Sequence, residues 1–248
     1  MKHIALQLYS IRDLMQEDFV GSIKKVSEAG YTGVEFAGYY GMESGEVKKI
    51  LDDNGLLAAG SHDQIDLLKK DLERAIDYAL EIGNKYIICP YYPEFVQGDA
   101  DSFRKAAGLF NEIGEKCSKS GLLFGYHNHN FEFRNLDGQF GLDILLANTQ
   151  PGLVHFELDT YWVQFAGLNP VEVIEKYKER CLLLHIKEMK NHEEKVNTII
   201  GKGIMDFKAI VSSGKKYNVD WYVVEQEYFE DDLIESVKEG YKYLDSIL

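Results

Sequence analysis

Short apolar runs alternate with amphipathic stretches along the whole chain. Eight of these runs span four to six residues and are bounded by turn residues, so each has the length of a strand. Most are apolar on both faces, as a parallel sheet covered by helices requires. The predicted strands are Ile4–Tyr9, Gly33–Phe36, Leu56–Ser61, Tyr86–Cys89, Leu122–His127, Val154–Leu158, Leu182–Ile186 and Trp221–Val224.

Helical periodicity fills the segments between these strands. Phe19, Ile23 and Val26 share one face of a helix, and Gly30 follows where a left-handed cap would end it. The predicted helices are Phe19–Ala29, Gly45–Asn54, Leu67–Ile82, Ala100–Ser118, Gly141–Ala147, Pro170–Tyr177, Phe207–Tyr217 and Asp231–Ile247. This strict alternation predicts an α/β fold, a single (β/α)8 TIM barrel domain over residues 1–248, with an open doubly wound sheet as the alternative.

The charge and the cysteines narrow the class of protein. Acidic residues number 41 against 27 basic ones, and the net charge of −14 argues against nucleic acid or an anionic membrane surface as a partner. The segment Met1–Ser10 has no basic stretch followed by an apolar run, so no export signal is predicted. Three widely spaced cysteines are typical of reduced thiols. We therefore expect a soluble cytoplasmic protein.

Polar residues follow the predicted strands at their C-terminal ends, where side chains of a TIM barrel project toward a shared mouth. Asp159 follows the sixth strand, His185 lies near the end of the seventh, and Glu225 follows the eighth. The fifth strand offers His127 at its end or Glu132 further on. Imidazole and carboxylate groups without thiolates suit Mn²⁺, Co²⁺, Fe²⁺ or Zn²⁺ in an open site. The pattern predicts a divalent-metal site whose ligands are His127, Asp159, His185 and Glu225.

Each of these residues also has a simpler structural explanation. His127 and His185 could be hydrogen-bonded structural histidines, and Asp159 could cap a turn. Glu225 could pair with a neighbouring lysine as it leaves an apolar strand. Recurrence at four successive strand ends favours one metal site over four separate explanations.

Other polar and aromatic residues near the strand ends are assigned to substrate binding. Glu35 lies near the end of the second strand and His62 follows the third, and neither is needed as a ligand. His129 lies just after the fifth strand, and Trp162 could form an apolar wall for a sugar face. The loop 187–205 is long and polar and contains four lysines, and a solvated loop is favoured there over a phosphate site.

Eight segments spread over the chain resemble the sugar phosphate isomerase/epimerase family of xylose-isomerase-like barrels, which includes inosose dehydratases and ketose 3-epimerases. The segments are Leu6–Ser10, Gly33–Gly38, Ser61–His62, Tyr126–Phe133, Glu157–Trp162, Gly167–Pro170, Leu184–Lys187 and Val224–Gln226. The resemblance implies a divalent metal, commonly Mn²⁺ or Co²⁺, at Asp159, His185, Glu225 and one residue of the fifth strand. Zn²⁺, Fe²⁺ and Mg²⁺ are also compatible. Ketose epimerases carry a glutamate where this chain aligns His127, so the sequence looks closer to the inosose dehydratase branch.

Such a site supports proton abstraction next to a carbonyl, because a bound metal polarises the carbonyl and stabilises the enediolate that forms. Glu132 and Glu225 are the predicted bases, and Lys187 is predicted to relay a proton or hold a substrate oxygen. We therefore expect a metal-dependent isomerase, epimerase or dehydratase acting on a small keto-sugar or cyclitol, and a homo-oligomer is compatible with the sequence. The alternatives are an endonuclease IV-like hydrolase, which the negative charge disfavours, and a non-catalytic sugar-binding barrel.

Overall fold

Eight parallel strands close into a barrel in the computed structural model, which describes residues 3–248. Each strand pairs with its neighbours in chain order, and the last pairs with the first. We number the barrel strands β1 (Ile4–Gln7), β2 (Gly33–Phe36), β3 (Leu57–His62), β4 (Tyr86–Cys89), β5 (Leu123–His127), β6 (Val154–Asp159), β7 (Cys181–Ile186) and β8 (Trp221–Val224). The predicted TIM barrel is confirmed. Residues 1 and 2 of the predicted domain, where the segment Met1–Ser10 begins, lie outside the described residues.

Helices surround the barrel. Their bounds are Arg12–Glu17, Phe19–Ala29, Ser44–Asn54, Ile65–Lys70, Leu72–Ile82, Ala100–Lys119, Gly141–Ala147, Thr160–Phe165, Pro170–Tyr177, Phe207–Lys216 and Leu233–Ile247. Gly30 ends the second of them with φ 108°, a left-handed conformation that glycine adopts without steric cost. Short hairpins pair Asn135–Leu136 with Gln139–Phe140 and Glu188–Met189 with Asn197–Thr198. Across the described part of the chain, no helix has the length and apolar character needed to span a membrane.

The predicted helix Leu67–Ile82 is in fact two helices, Ile65–Lys70 and Leu72–Ile82, which meet at Asp71. Asp71 leaves the helical conformation, with φ −152° and ψ 61°, and its side chain accepts a hydrogen bond from the backbone nitrogen of Arg74. It therefore acts as the N-cap of the second helix. The apolar periodicity continues across this break, which is why the pattern does not reveal it.

The barrel interior has an apolar layer with a polar layer above it. Ala5, Leu183 and Val223 are fully or almost fully buried in one cluster inside the barrel. Two residues further along their strands, on the same face, the chain places Gln7, His185 and Glu225. The strands thus change from apolar to polar inward residues as they approach their C-terminal ends, and this change positions the candidate site.

Candidate active site

Three predicted ligands converge at the C-terminal ends of β6, β7 and β8. One ligand atom from each of Asp159, His185 and Glu225 lies within 4.8 Å of the other two. His185 Nδ1 is 3.3 Å from Glu225 Oε2. All three side chains are buried. The two simple separate explanations, a turn cap and an isolated structural histidine, do not account for this convergence.

The two carboxylate oxygens of Asp159 have different surroundings. Oδ1 accepts hydrogen bonds from the backbone nitrogens of Tyr161 and Trp162, at 2.8 and 3.1 Å, and so caps the helix Thr160–Phe165. Oδ2 is buried and has no hydrogen-bond partner among the described residues. A buried carboxylate oxygen without a partner is costly, and a cation held with His185 and Glu225 would satisfy it. The donors present therefore fit a divalent ion.

The two histidines predicted as ligands are oriented by carboxylates that lie deeper in the barrel. His185 presents Nδ1 to Glu225, while its Nε2 is 2.7 Å from Glu35 Oε2. His127 Nε2 is 3.9 Å from the free oxygen of Asp159, and its Nδ1 is 2.9 Å from Glu157 Oε2. Metal-binding histidines usually donate their second ring N–H to a carboxylate in this way. Of the two candidates for the fourth donor, His127 is the one that faces Asp159, but it lies outside the 4.8 Å group formed by Asp159, His185 and Glu225.

A second carboxylate and histidine group lies directly beneath the first. Glu157 Oε2 is 2.7 Å from His62 Nε2, and one donor atom each from His62, His127, Glu157 and His185 lies within 4.8 Å of the others. Glu35 Oε2 accepts a 2.6 Å hydrogen bond from the side chain of Gln7. Gly60 leaves the space for Glu35, because a Cβ there would lie 2.6 Å from Glu35 Oε1.

The pKa values of Glu35 and Glu157, the two carboxyl groups of this deeper group, are shifted in opposite directions. Burial and the neighbouring Glu35 charge raise the pKa of Glu157 to about 7. Burial acts to raise the pKa of Glu35 as well, but the charges of His62 and His185 outweigh it and lower that pKa to about 2. Glu157 is thus the member of the pair that keeps a proton more readily, since two adjacent carboxylates ionise together only at high cost.

Glu157 is the site residue that the sequence analysis does not single out. Its signal is its position two residues before Asp159 in a strand, which puts both side chains on the same inward face. An acidic residue in the middle of a buried strand needs a partner. Read together, these two facts predict a polar interior at β6.

Lys187 lies just beyond β7 and is 1% exposed. Its Nζ is 3.3 Å from Glu225 Oε2, forms an ion pair with Glu227, and stands over the rings of Tyr161 and Trp162. Burial acts to lower the pKa of Lys187, but the charges of Glu225 and Asp159 outweigh it and raise that pKa above its usual range. Lys187 therefore stays charged and balances part of the acidic site.

Glu132, the other predicted base, lies away from this group on the outer side of β5. Its Oε1 accepts from the hydroxyl of Tyr126, whose ring packs against Phe95 and Phe110, and its Oε2 accepts from the backbone nitrogen of His129 at 2.9 Å. Both carboxylate oxygens are thus used, and Glu132 is fully buried. Its placement indicates that it fixes the backbone at His129, and does not favour the predicted role as base.

A cavity of about 1280 Å³ opens above these groups. His62, His127, His129, Trp162 and Glu225 are among the residues that line it. The structure thus brings three of the four predicted substrate-binding residues to the cavity. Glu35, the fourth, is not a lining residue and lies beneath, bonded to Gln7 and His185.

The long loop after β7 is a folded element. Glu188 is fully buried and accepts hydrogen bonds from the backbone nitrogens of Gly201 and Met205, which hold the loop around it. Lys190 pairs with Glu230, and Lys202 pairs with Glu239. The expected solvated loop therefore describes the solvent-accessible Lys190 and Lys202 but not the buried Lys187. The ion pairs offer no support for a phosphate site there.

Known proteins share this fold over nearly the whole chain. The family described as Xylose isomerase-like TIM barrel matches residues 23–247. An inosose dehydratase from Clostridium beijerinckii is 24% identical in an alignment 253 residues long. The alignment covers 87% of this chain and 84% of that protein. A sugar phosphate isomerase/epimerase from Parabacteroides distasonis is 30% identical, with 99% of this chain and 94% of that one covered and a TM-score of 0.87. The IolI protein, solved with a bound zinc atom, shares the fold at 12% identity and a TM-score of 0.78, with 99% of this chain and 97% of that one covered.

Proposed function

Because the chain belongs to the xylose isomerase-like TIM barrel family, we propose that it is a divalent-metal-dependent enzyme that removes a proton next to the carbonyl of a keto-sugar or cyclitol. Reprotonation would give isomerisation or epimerisation, and loss of a β-hydroxyl would give dehydration. The observation that carries the proposal is the convergence of Asp159, His185 and Glu225 beside a buried oxygen of Asp159 that has no partner among the described residues.

The same group of residues would hold an ion and remove a proton, and Glu225 would take part in both tasks. His127, Asp159, His185 and Glu225 would hold the ion. A divalent ion bound there would polarise the substrate carbonyl and stabilise negative charge on its oxygen. Mn²⁺ and Co²⁺ suit these nitrogen and oxygen donors, and Zn²⁺, Fe²⁺ and Mg²⁺ are compatible with them.

Glu225 is our candidate for the base, because it lines the cavity and Glu132 does not. Its Oε2 faces His185 Nδ1 and Lys187 Nζ, each at 3.3 Å, which leaves Oε1 to accept the substrate proton. The positive charge of Lys187 stabilises the ionised Glu225 carboxylate. His62 and His129 line the same cavity and are placed to hold substrate hydroxyl groups.

The relatives support an enzyme that modifies sugars or cyclitols. One relative is named an inosose dehydratase and another a sugar phosphate isomerase/epimerase. Dehydration and isomerisation can both begin with proton removal next to a carbonyl, which is the step proposed here. The zinc atom in the IolI structure agrees with a divalent ion in this chain. Nucleic acid remains a poor substrate, because the chain carries a net charge of −14.

Solvent deuterium exchange tests the proposal. The protein is loaded with Mn²⁺ and incubated in D₂O with an inosose, and the proton next to the carbonyl is followed by NMR. We expect exchange or turnover that a chelator abolishes and added Mn²⁺ restores. Manganese-loaded protein that leaves the proton in place across a panel of inososes and keto-hexoses would contradict the proposal.

Substitutions at two glutamates that line the cavity test which carboxylate is the base. We expect Glu225→Gln to abolish exchange and Glu227→Gln, a matched change at another lining carboxylate, to retain it. Metal content is measured on both proteins. Exchange lost with the metal retained assigns the base to Glu225, and exchange lost together with the metal assigns it the role of ligand alone. Full exchange in Glu225→Gln rules both assignments out.

A further inference from the structure

The cavity continues well beyond the candidate metal ligands. Its outer part runs over the loop after β2 and along the helix Leu72–Ile82. We call this part the outer groove and define it by Tyr39, Glu43, Arg74, Asp77, Tyr78 and Glu81, all of which line the cavity. None of these residues takes part in the proton chemistry proposed above.

The size of the cavity exceeds what one sugar ring needs. Clefts of roughly 300–1,000 Å³ hold drug-sized ligands. A cavity of about 1280 Å³ therefore has room for a group beyond the six-membered ring that would react at Glu225. The additional room lies in the outer groove, because the inner end is closed by the buried His62 and His127 group.

An ordered aromatic wall lines the outer groove. The rings of Tyr39 and Tyr78 stack with centroids 3.8 Å apart and an interplanar angle of 26°. The Tyr78 hydroxyl donates a 2.9 Å hydrogen bond to the carbonyl of Met42, which fixes its ring against the loop after β2. Fixed aromatic side chains offer contact area at little cost in conformational entropy, and their hydroxyl groups add a polar end. Such a surface suits a sugar ring, which has apolar C–H faces and a polar edge.

The charge of the cavity restricts what can occupy it. Eight carboxylates line the cavity, namely those of Glu43, Asp63, Asp71, Glu73, Asp77, Glu81, Glu225 and Glu227. Among the described lining residues, Arg74 supplies the single arginine or lysine side chain. A phosphate would lose its hydration and meet this negative field, whereas an uncharged polyhydroxylated ring would find many hydrogen-bond acceptors.

We propose that the outer groove binds a second, uncharged sugar ring, so that the substrate is a glycoside rather than a free monosaccharide or a sugar phosphate. This inference rests on the proposed function for the identity of the reacting ring. It adds a binding site for the ring attached to it. Tyr78 supplies the stacking surface with Tyr39 packed against its other face, and Asp77 and Glu81 accept hydrogen bonds from the hydroxyl groups of the sugar.

Equilibrium binding to the manganese-loaded protein tests the groove without turnover. The calorimetric probes are methyl glucopyranoside with one ring, cellobiose and maltose with two, and glucose 6-phosphate. We expect at least one disaccharide to bind about tenfold more tightly than the methyl glycoside, a difference of about 1.4 kcal/mol. Glucose 6-phosphate should bind more weakly than the methyl glycoside. Disaccharides that bind no better than the methyl glycoside, or a preference for the phosphate, would overturn the proposal.

Tyr78 provides the matched pair of variants. Tyr78→Ala should reduce the ratio of methyl glycoside to disaccharide dissociation constants from about ten to near one, because it removes the stacking ring. Tyr78→Phe keeps the ring, loses the hydrogen bond to Met42, and should keep most of that ratio. An unchanged ratio in Tyr78→Ala contradicts the groove. Calorimetry reports binding whether or not a proton is exchanged. A negative deuterium-exchange result with inososes and keto-hexoses, together with a positive binding ratio, would therefore reject the proposed reaction and leave the groove standing.

Discussion

Glu132 and Glu157 are both fully buried glutamates, but their surroundings differ. Glu157 points into the barrel, where its Oε2 meets His62 and His127 at 2.7 and 2.9 Å. Glu132 lies outside β5, where it accepts from Tyr126 and from the backbone of His129. Both pKa values are raised to about 7, chiefly by burial.

The comparison shows that a raised pKa and complete burial do not by themselves identify a functional acid. The two glutamates differ in what their hydrogen bonds hold. Glu157 holds the imidazole of His127, whose other nitrogen faces Asp159, while Glu132 holds a hydroxyl and a backbone amide. We therefore expect substitutions at Glu157 to change the metal affinity, and substitutions at Glu132 to change only the stability of the fold.

The largest effect on the metal is expected at Asp159, in front of Glu157. Asp159→Asn can still cap the helix Thr160–Phe165 through its amide oxygen, but it turns an N–H toward the ion and removes a negative charge. Stoichiometric Mn²⁺ binding should be lost, with the melting temperature of the metal-free protein nearly unchanged. Calorimetric titration with Mn²⁺ measures the loss.

Asp63 supplies the matched control for that change. It is a buried aspartate that also lines the cavity, and its carboxylate accepts a 2.6 Å hydrogen bond from Ser61. Asp63→Asn should bind Mn²⁺ as the unaltered protein does. An affinity of Asp159→Asn for Mn²⁺ as high as that of Asp63→Asn and of the unaltered protein would show that Asp159 is not a ligand.

A smaller effect should separate the two glutamates directly. Glu157→Gln removes the carboxylate that fixes His127 and His62, and losing such a partner typically lowers metal affinity by about 10–100-fold. Glu132→Gln, an identical change at an equally buried position, should leave metal affinity unaltered. Competition with a chromophoric chelator measures both affinities. A loss of affinity in Glu132→Gln as large as in Glu157→Gln would erase the distinction.

Glu132 and Glu157 also show how much of the fold and of the site the sequence predicts. The alternation of apolar runs predicts all eight strands to within one or two residues, because a barrel strand is buried on both faces. Strand ends also indicate Asp159, His185 and Glu225, since C-terminal ends share one mouth. Glu132 follows β5 closely in the sequence, but distance along a loop does not fix direction. The turn Phe131–Phe133 carries its side chain behind the strand, toward Tyr126.

Other parts of the site depend on contacts between distant strands, which periodicity cannot supply. Glu35 and His185 are 150 residues apart in sequence and lie 2.7 Å apart, which is decided by closure of the barrel. The register of β6 beside β5 similarly brings Glu157 to His127. Strand alternation places each of these side chains inside the barrel, but their pairing requires the three-dimensional fold.

The smallest effect on the metal site, and a clear one on stability, is expected from the titration of Glu132. Burial raises its pKa from the usual 4.5 to about 7, so between these values the folded protein keeps a proton that the unfolded chain releases. Its contribution to the free energy of unfolding is therefore greatest below pH 4.5 and falls as the pH rises toward 7. The side-chain amide introduced by Glu132→Gln does not titrate in this range.

The difference in free energy of unfolding, unaltered protein minus Glu132→Gln, should accordingly fall by about 2–3 kcal/mol between pH 4.5 and 7.5, since each pKa unit corresponds to about 1.4 kcal/mol. Urea denaturation of the metal-free proteins at several pH values measures this difference, and comparing two proteins at each pH cancels the titration of all other groups. A difference that stays constant across this range would mean that Glu132 is already ionised in the folded protein. Its bonds to Tyr126 and to the backbone of His129 would then stabilise the charged carboxylate fully, and the contrast with Glu157 would rest on geometry alone.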